Sequence, residues 1–263
     1  IVYTQDKGGD ENWRVYSVDV ATGAVRDLTP FDGVAAQIES VSPRIPGEIL
    51  VSLNNRDPQF HDLHRINIAT GETTLVQENP GTMGRGLVNG FLTDNDYKVR
   101  FAAILNSDDG SMSLMQPTPA GEWTECSSIP MEDQLSTAPL GFDKTGKVLY
   151  ITDSRGRDTG AVFAWDLATG EKTLIAEDAL ADAGDFMIHP TTFEMQAVSF
   201  KYDRERWKIL DKSVLPDFEA LRKVREGDIQ LVSRSLDDTQ WIIAFVTDTG
   251  PVAYYRWDRA AKK

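Results

Sequence analysis

The chain has 263 residues, 41% of them hydrophobic and 26% charged, which is enough apolar material for a sizeable core and argues against a disordered or fibrous chain. No apolar run approaches the roughly 18 residues that span a bilayer as a helix, so no membrane role is expected. A net charge of −14 argues against a nucleic-acid partner, whose binding needs a basic stripe to displace phosphate counterions. From the start of the chain, residues 1–5, 13–19 and 25–29 read as three strands. The last two flank the turn Asp19-Val20-Ala21-Thr22-Gly23. An Asx residue, a short polar loop and a Gly are a hairpin signal, because Gly takes the positive-φ position and the Asx side chain caps the turn.

The same turn returns as Asn67-Ile68-Ala69-Thr70-Gly71 and as Asp166-Leu167-Ala168-Thr169-Gly170. The position before each turn reads Asp19, Asn67, Gln116, Asp166, Asp211 and Asp258, in steps of 48, 49, 50, 45 and 47 residues. A second marker, the Asp or Asn closing the preceding strand, keeps the same beat at Asp6, Asn54, Asn106, Asp153, Asp203 and Asp248. A third, the turn before that strand, begins at Ser42, Thr93, Asp143, His189 and Leu236 and is missing from the first unit. A near-constant step a little under fifty residues marks a repeated supersecondary unit.

Each unit reads as four strands, inner to outer, which is the blade of a β-propeller. In the clearest copy the strands are 140–143, 148–152, 161–166 and 172–176. Between Asp211 and Asp228 the outer strand is replaced. Val214, Leu215, Phe218, Leu221 and Val224 fall at helical spacing, with Pro216 tolerable in a first turn, so a helix is expected near 213–226. The last unit reads as strands 229–234, 241–247 and 252–258. The first unit thus lacks an inner strand and the last an outer one. The expected fold is all-β: a single propeller domain, 1–263, of about six recognisable four-stranded antiparallel blades with incomplete terminal blades. Three strands plus three cannot make one shared four-stranded blade, so a piece of a longer chain is expected.

The run 200–211, the helix after it, then Val232-Ser233-Arg234-Ser235-Leu236-Asp237-Asp238 and Asp248-Thr249-Gly250-Pro251, resemble the propeller of prolyl-oligopeptidase-family serine peptidases of the acylaminoacyl-peptidase-like branch. The resemblance covers essentially the whole chain. It implies a following α/β-hydrolase domain of the same parent chain as partner and peptides as substrates, with the propeller gating their access. No Gly-x-Ser-x-Gly nucleophile elbow occurs here, so no catalytic residue is assigned to this chain. The alternative is a stand-alone TolB-like propeller serving as a protein-binding scaffold. A third reading, a hydrolase site in a central channel, would use Asp94, Asp96, Asp143, Asp237 and Asp238 at inner-strand turns.

The loops joining second to third strands emerge on one face and carry Arg56, Asp57, Arg155, Arg157, Asp158, Arg204, Glu205 and Arg206. Clustered arginines on a rim can recognise a peptide carboxylate or dock a neighbouring domain by bidentate pairing. Arg204, Glu205, Arg206, Arg155 and Arg157 are therefore the candidate substrate- or domain-docking residues. No metal or cofactor is expected. His61 and His64 stand three apart on a strand and point to opposite faces, and His189 reads as a turn residue. The acidic loops 6–11 and 106–110 lack the EF-hand spacing and read as solvated hairpin tips. Trp13, Trp165, Trp207 and Trp257 are expected to pack between blades. Cys126 is the only cysteine, which leaves no internal disulfide. With no visible targeting segment, the cytoplasm is the expected compartment, and the periplasm is compatible.

Overall fold

A computed structural model describes residues 1–263 as two compact units, Ile1–Met131 and Glu132–Lys263. In the first unit β1 (Val2–Gln5), β2 (Arg14–Val18) and β3 (Val25–Asp27) form one antiparallel sheet. The second sheet contains β4 (Ala36–Ser40), β5 (Glu48–Asp57), β6 (Phe60–Asn67) and β7 (Thr73–Gln77). The third contains β8 (Thr82–Met83), β9 (Gly86–Thr93), β10 (Val99–Asn106), β11 (Met112–Pro117) and β12 (Trp123–Ile129). In the second unit β13 (Ala138–Phe142), β14 (Val148–Asp153), β15 (Ala161–Asp166) and β16 (Lys172–Ala176) form the fourth sheet. The fifth is β17 (Ala183–Ile188), β18 (Met195–Lys201) and β19 (Glu205–Ile209), followed by α1 (Leu215–Leu221). The sixth is β20 (Asp228–Arg234), β21 (Gln240–Val246) and β22 (Ala253–Asp258). Every sheet is a meander whose spatial order is its chain order.

The strand plan read from the sequence recurs, including the first sheet without an inner strand and the last without an outer one. One addition is β8, which pairs Thr82 with Leu87 and gives the third sheet five strands. No helix is long and apolar enough to cross a membrane.

The repeated turn is one hydrogen-bonded object. At Asp19, Asn67 and Asp166 the backbone N–H donates to the carbonyl five residues on, at 2.9 Å each. The side-chain Oδ1 then accepts the N–H three residues on, at 2.8, 3.0 and 2.9 Å. Gly23, Gly71 and Gly170 stand at φ +73, +79 and +77°, where a Cβ is disfavoured. Asp258 builds the same turn, donating to the Lys263 carbonyl, with Lys262 in the left-handed position at φ 54°. Gln116 does not. Four residues before Gly121 stands Pro117, which has no N–H to give, so the closure moves to Thr118, whose N–H donates to Glu122.

Apolar faces of successive sheets meet within each unit. Val15 and Leu28 of the first sheet region pack with Ile49, Val51, Leu53 and Ile66 of the second. Val162 and Ala176 meet Val198 and Phe200 between the fourth and fifth sheets. α1 fills the place of the missing outer strand of the fifth sheet, with Val214, Phe218 and Leu221 buried against Trp241, Phe245 and Trp257. Asp211 launches it by accepting the Ser213 N–H at 2.8 Å. The helix is shorter than expected. It ends at Leu221, and the N–H groups of Lys223 and Val224 reach back only three residues, which leaves Val224 44% exposed.

Candidate functional site

In the second unit the candidate residues stand where second-to-third-strand loops meet the connections leading into the next inner strand. Arg155 and Arg157 lie in the loop between β14 and β15, and Arg204 in the loop between β18 and β19. Glu205 and Arg206 lie one step further, on β19 itself, because Lys201 pairs with Glu205 and Phe200 with Arg206 across a tight turn. Arg56 and Asp57 in the first unit are likewise on the extended end of β5 rather than in a loop.

The arginines have very different partners. Arg155 grips Asp153 with two bonds, at 2.8 and 2.6 Å, and Lys172 Nζ joins the same carboxylate at 2.7 Å. Burial alone would raise the Asp153 pKa, but Arg155 and Lys172 outweigh it and hold the carboxyl well below the usual carboxylate range. Arg56 does the same for buried Asp62, at 2.7 and 2.8 Å, and also donates to the Asn79 carbonyl. These two arginines tie loops to sheet ends and are committed to structural partners. Arg157 pairs with Glu177 and lies 5.8 Å from the Phe163 ring centroid. Arg206 pairs with Asp203. Arg204 reaches Asp248 at 3.6 Å, with side chains 54% and 73% exposed, a solvent-screened pair worth little in stability.

Two clefts divide the candidates. One, of about 640 Å³, is lined by Arg204, Glu205, Glu226, Asp228, Thr247 and Asp248. The other, of about 490 Å³, is lined by Arg157, Asp158, Glu177 and Asp178. Arg155 and Arg206 line neither. Glu205 has one carboxylate oxygen buried without a hydrogen-bond partner. Burial raises its pKa, partly opposed by the Ser199 hydroxyl and assisted by nearby Asp185. Among these charged groups the Arg204–Asp248 pair is the most exposed and weakly held, and the Arg155–Asp153 pair the most firmly committed.

The histidines divide as their spacing predicts. His64 is buried and His61 half-buried on the opposite face of β6. His189 acts as a turn residue, its Nδ1 accepting the N–H groups of Thr191 and Thr192 at 3.2 and 3.1 Å. The tryptophans do not behave alike. Trp165 and Trp257 are buried, and Trp207 bridges sheets by donating to the Ile229 carbonyl at 2.8 Å. Trp13 is 47% exposed, because it precedes β2 at the loop end and turns outward instead of into a core. The sequence reading also missed a buried ionic cluster. Asp217 of α1 accepts from Trp257 Nε1 at 2.9 Å and from the Arg259 guanidinium at 3.1 Å, and pairs with Lys262. Asp238 takes Arg234 and Arg259, and Trp241 Nε1 at 2.7 Å. Asp237 and Asp238, candidates for a channel acid site by their place at an inner-strand turn, have other partners. Asp238 is instead saturated by these cations, and Asp237 caps its own turn through Ser235 and Thr239.

No protein-family model matches the chain. Over 99% of its length the chain is 42% identical to dipeptidyl aminopeptidase BIII of Pseudoxanthomonas mexicana. Over all of it, the chain is 26% identical to dipeptidyl peptidase family member 6 of Caenorhabditis elegans. The chain spans 37% of the length of each. Among solved structures, TolB from Acinetobacter baumannii aligns with 99% of this chain and 61% of its own at a TM-score of 0.56 and 10% identity. A puromycin-hydrolysing peptidase of Mycobacterium tuberculosis aligns with 100% and 44% at a TM-score of 0.56 and 12% identity. The fold is that of a β-propeller, and the resemblance to the propeller region of prolyl-oligopeptidase-family peptidases holds along the whole chain.

Proposed function

We propose that this chain is the non-catalytic propeller region of a serine peptidase of the prolyl oligopeptidase kind, and that it gates peptide access to an α/β-hydrolase domain in the same polypeptide. The observation behind this reading is the 42% identity to a dipeptidyl aminopeptidase over 99% of the chain, which accounts for only 37% of that relative. The absence of a Gly-x-Ser-x-Gly elbow supports placing bond cleavage elsewhere. In that scheme a serine of the hydrolase domain takes the acyl group, and the propeller selects by size which peptides arrive. Arg204, whose partner Asp248 is exposed and weakly held, is the rim residue offered to the peptide or the neighbouring domain, with Arg157, paired to half-exposed Glu177, beside the second cleft. The TolB-like scaffold reading rests on likeness of fold at 10% identity and has no residue-level support.

Two measurements test this. The chain alone, incubated with dipeptidyl and prolyl p-nitroanilides, should show no turnover that a serine-directed phosphonate removes; such turnover would place the catalyst within these residues. In the polypeptide encoded by the complete reading frame, dipeptidyl substrates should be cleaved and thirty-residue peptides excluded. Inserting a flexible Gly-Ser stretch into the 154–160 loop should then raise the rate on the long peptide relative to the short one. Equal rates on long and short peptides before any insertion would refute gating.

A further inference from the structure

Within the first unit, two adjoining clefts of about 380 and 100 Å³ share Gln37 of β4 and His61 of β6. Their walls combine three features that no structural role in the fold absorbs. The first is an aromatic face, since Trp13 is 47% exposed beside Ile38 and its indole N–H has no protein acceptor. The second is a free strand edge. β4, the inner strand of its blade, is one edge of its sheet, and its Ala36 N–H leaves the sheet to donate to the Trp13 carbonyl at 2.8 Å. By the two-residue alternation of a strand, the N–H and C=O of Ile38 leave on that same side, beyond Trp13 and into the cleft. The third is polarity without neutralisation. Glu39 is exposed, accepts the Ser52 hydroxyl at 2.6 Å and forms no ion pair, while the His61 ring makes no hydrogen bond within the chain.

We infer that this double cleft binds an extended peptide segment. The peptide main chain adds to the free edge of β4 at Ile38, an apolar or aromatic side chain lies on Trp13, and a basic side chain faces Glu39. Extended main chain is specified because the edge offers one donor and one acceptor spaced for a strand. A basic side chain is specified because Glu39 is the one carboxylate in the walls and no cation offsets it. The inference deepens the peptide-handling reading above and names the residues that would hold a peptide on the propeller.

The test uses this chain with dye-labelled Ac-Gly-Gly-Lys-Phe-Gly-NH₂, whose adjacent Lys and Phe side chains alternate faces as Glu39 and Ile38 do, and its glutamate-for-lysine counterpart, read by fluorescence anisotropy and by amide and indole shifts in NMR. The lysine peptide should bind and should shift the Trp13 indole and Ile38 amide resonances. Trp13→Ala should weaken it about tenfold and Trp13→Phe about threefold, in keeping with an aromatic contact. Glu39→Gln should narrow the preference for lysine over glutamate. Because the Trp13 side chain is half exposed and its carbonyl makes the contact to β4, these variants should keep the wild-type NMR spectrum elsewhere. No binding, or binding indifferent to Trp13 and Glu39, overturns the site. Indifferent binding would leave the peptide-gating reading standing, whereas phosphonate-sensitive turnover by the chain alone would remove that reading and leave this site intact.

Discussion

Replacing Asp217 by alanine should lower the stability of the Glu132–Lys263 unit by about 3 kcal/mol, the low end for breaking a buried ion pair from one side. The carboxylate is fully buried and accepts from Trp257 Nε1 at 2.9 Å and from the Arg259 guanidinium at 3.1 Å. Its loss leaves the indole N–H without an acceptor, which costs about 1–3 kcal/mol when buried. Arg259 loses one anion but keeps Asp238 and the Asp238 carbonyl at 3.0 Å, which limits the charge penalty. Lys262, 39% exposed, can turn to water, so its share is discounted to a few tenths of a kcal/mol. Asp217→Asn keeps an acceptor for the indole and should cost about half as much. Urea unfolding followed by tryptophan fluorescence measures this, because Trp207, Trp241 and Trp257 surround the helix. A cycle with Trp257→Phe should return a coupling of about 1 kcal/mol. An Asp217→Ala variant within about 0.5 kcal/mol of wild type would refute the view that this carboxylate anchors α1 to the segment after β22.

Asp153, Asp238 and Asp62 have folded pKa values below their unfolded ones, so they stabilise the fold above the unfolded carboxylate pKa of about 4 and that contribution fades as pH falls through the folded values. Acid titration of thermal stability should therefore show a loss beginning below about pH 4, and Asp153→Asn should make the loss shallower. Glu205 has the opposite sign: its pKa is raised, so its contribution is full below the unfolded value and is lost as pH rises through the folded one. Glu205→Gln should raise the melting temperature at pH 7 and leave it little changed at pH 4. Gly86→Ala should cost about 1–3 kcal/mol or more in the first unit, because its Cβ would lie 2.2 Å from the Leu105 carbonyl oxygen on the paired strand, and urea midpoints would show it. Gly23→Ala meets no neighbour but stands at φ +73°, so it should cost only about 1 kcal/mol by the same measurement.

Local chemistry repeated along the chain was enough to read the strand plan. The Asx turns at Asp19, Asn67, Asp166 and Asp258 need only residues within five positions, and the helix of the fifth unit announces itself through Val214, Phe218 and Leu221. Pro117 shows the limit of pattern spacing, because a missing N–H shifts the closure to Thr118 where the beat alone points to Gln116. The arginines show a larger limit. Their identity was legible, but Arg56 and Arg206 lie on strands instead of loops, and how firmly each arginine is held depends on its partners: Arg155 shares Asp153 with Lys172 from nineteen residues away, whereas Arg204 faces only exposed Asp248. The exposure of Trp13, the free edge of β4 and the ion cluster around Asp217 were not legible at all. Periodic local hydrogen bonding settles which segments become strands and turns, since each motif satisfies its own backbone. Which charges are neutralised and which surfaces stay open is settled only when sheets far apart in sequence meet, because burial and Coulomb pairing depend on distance in space.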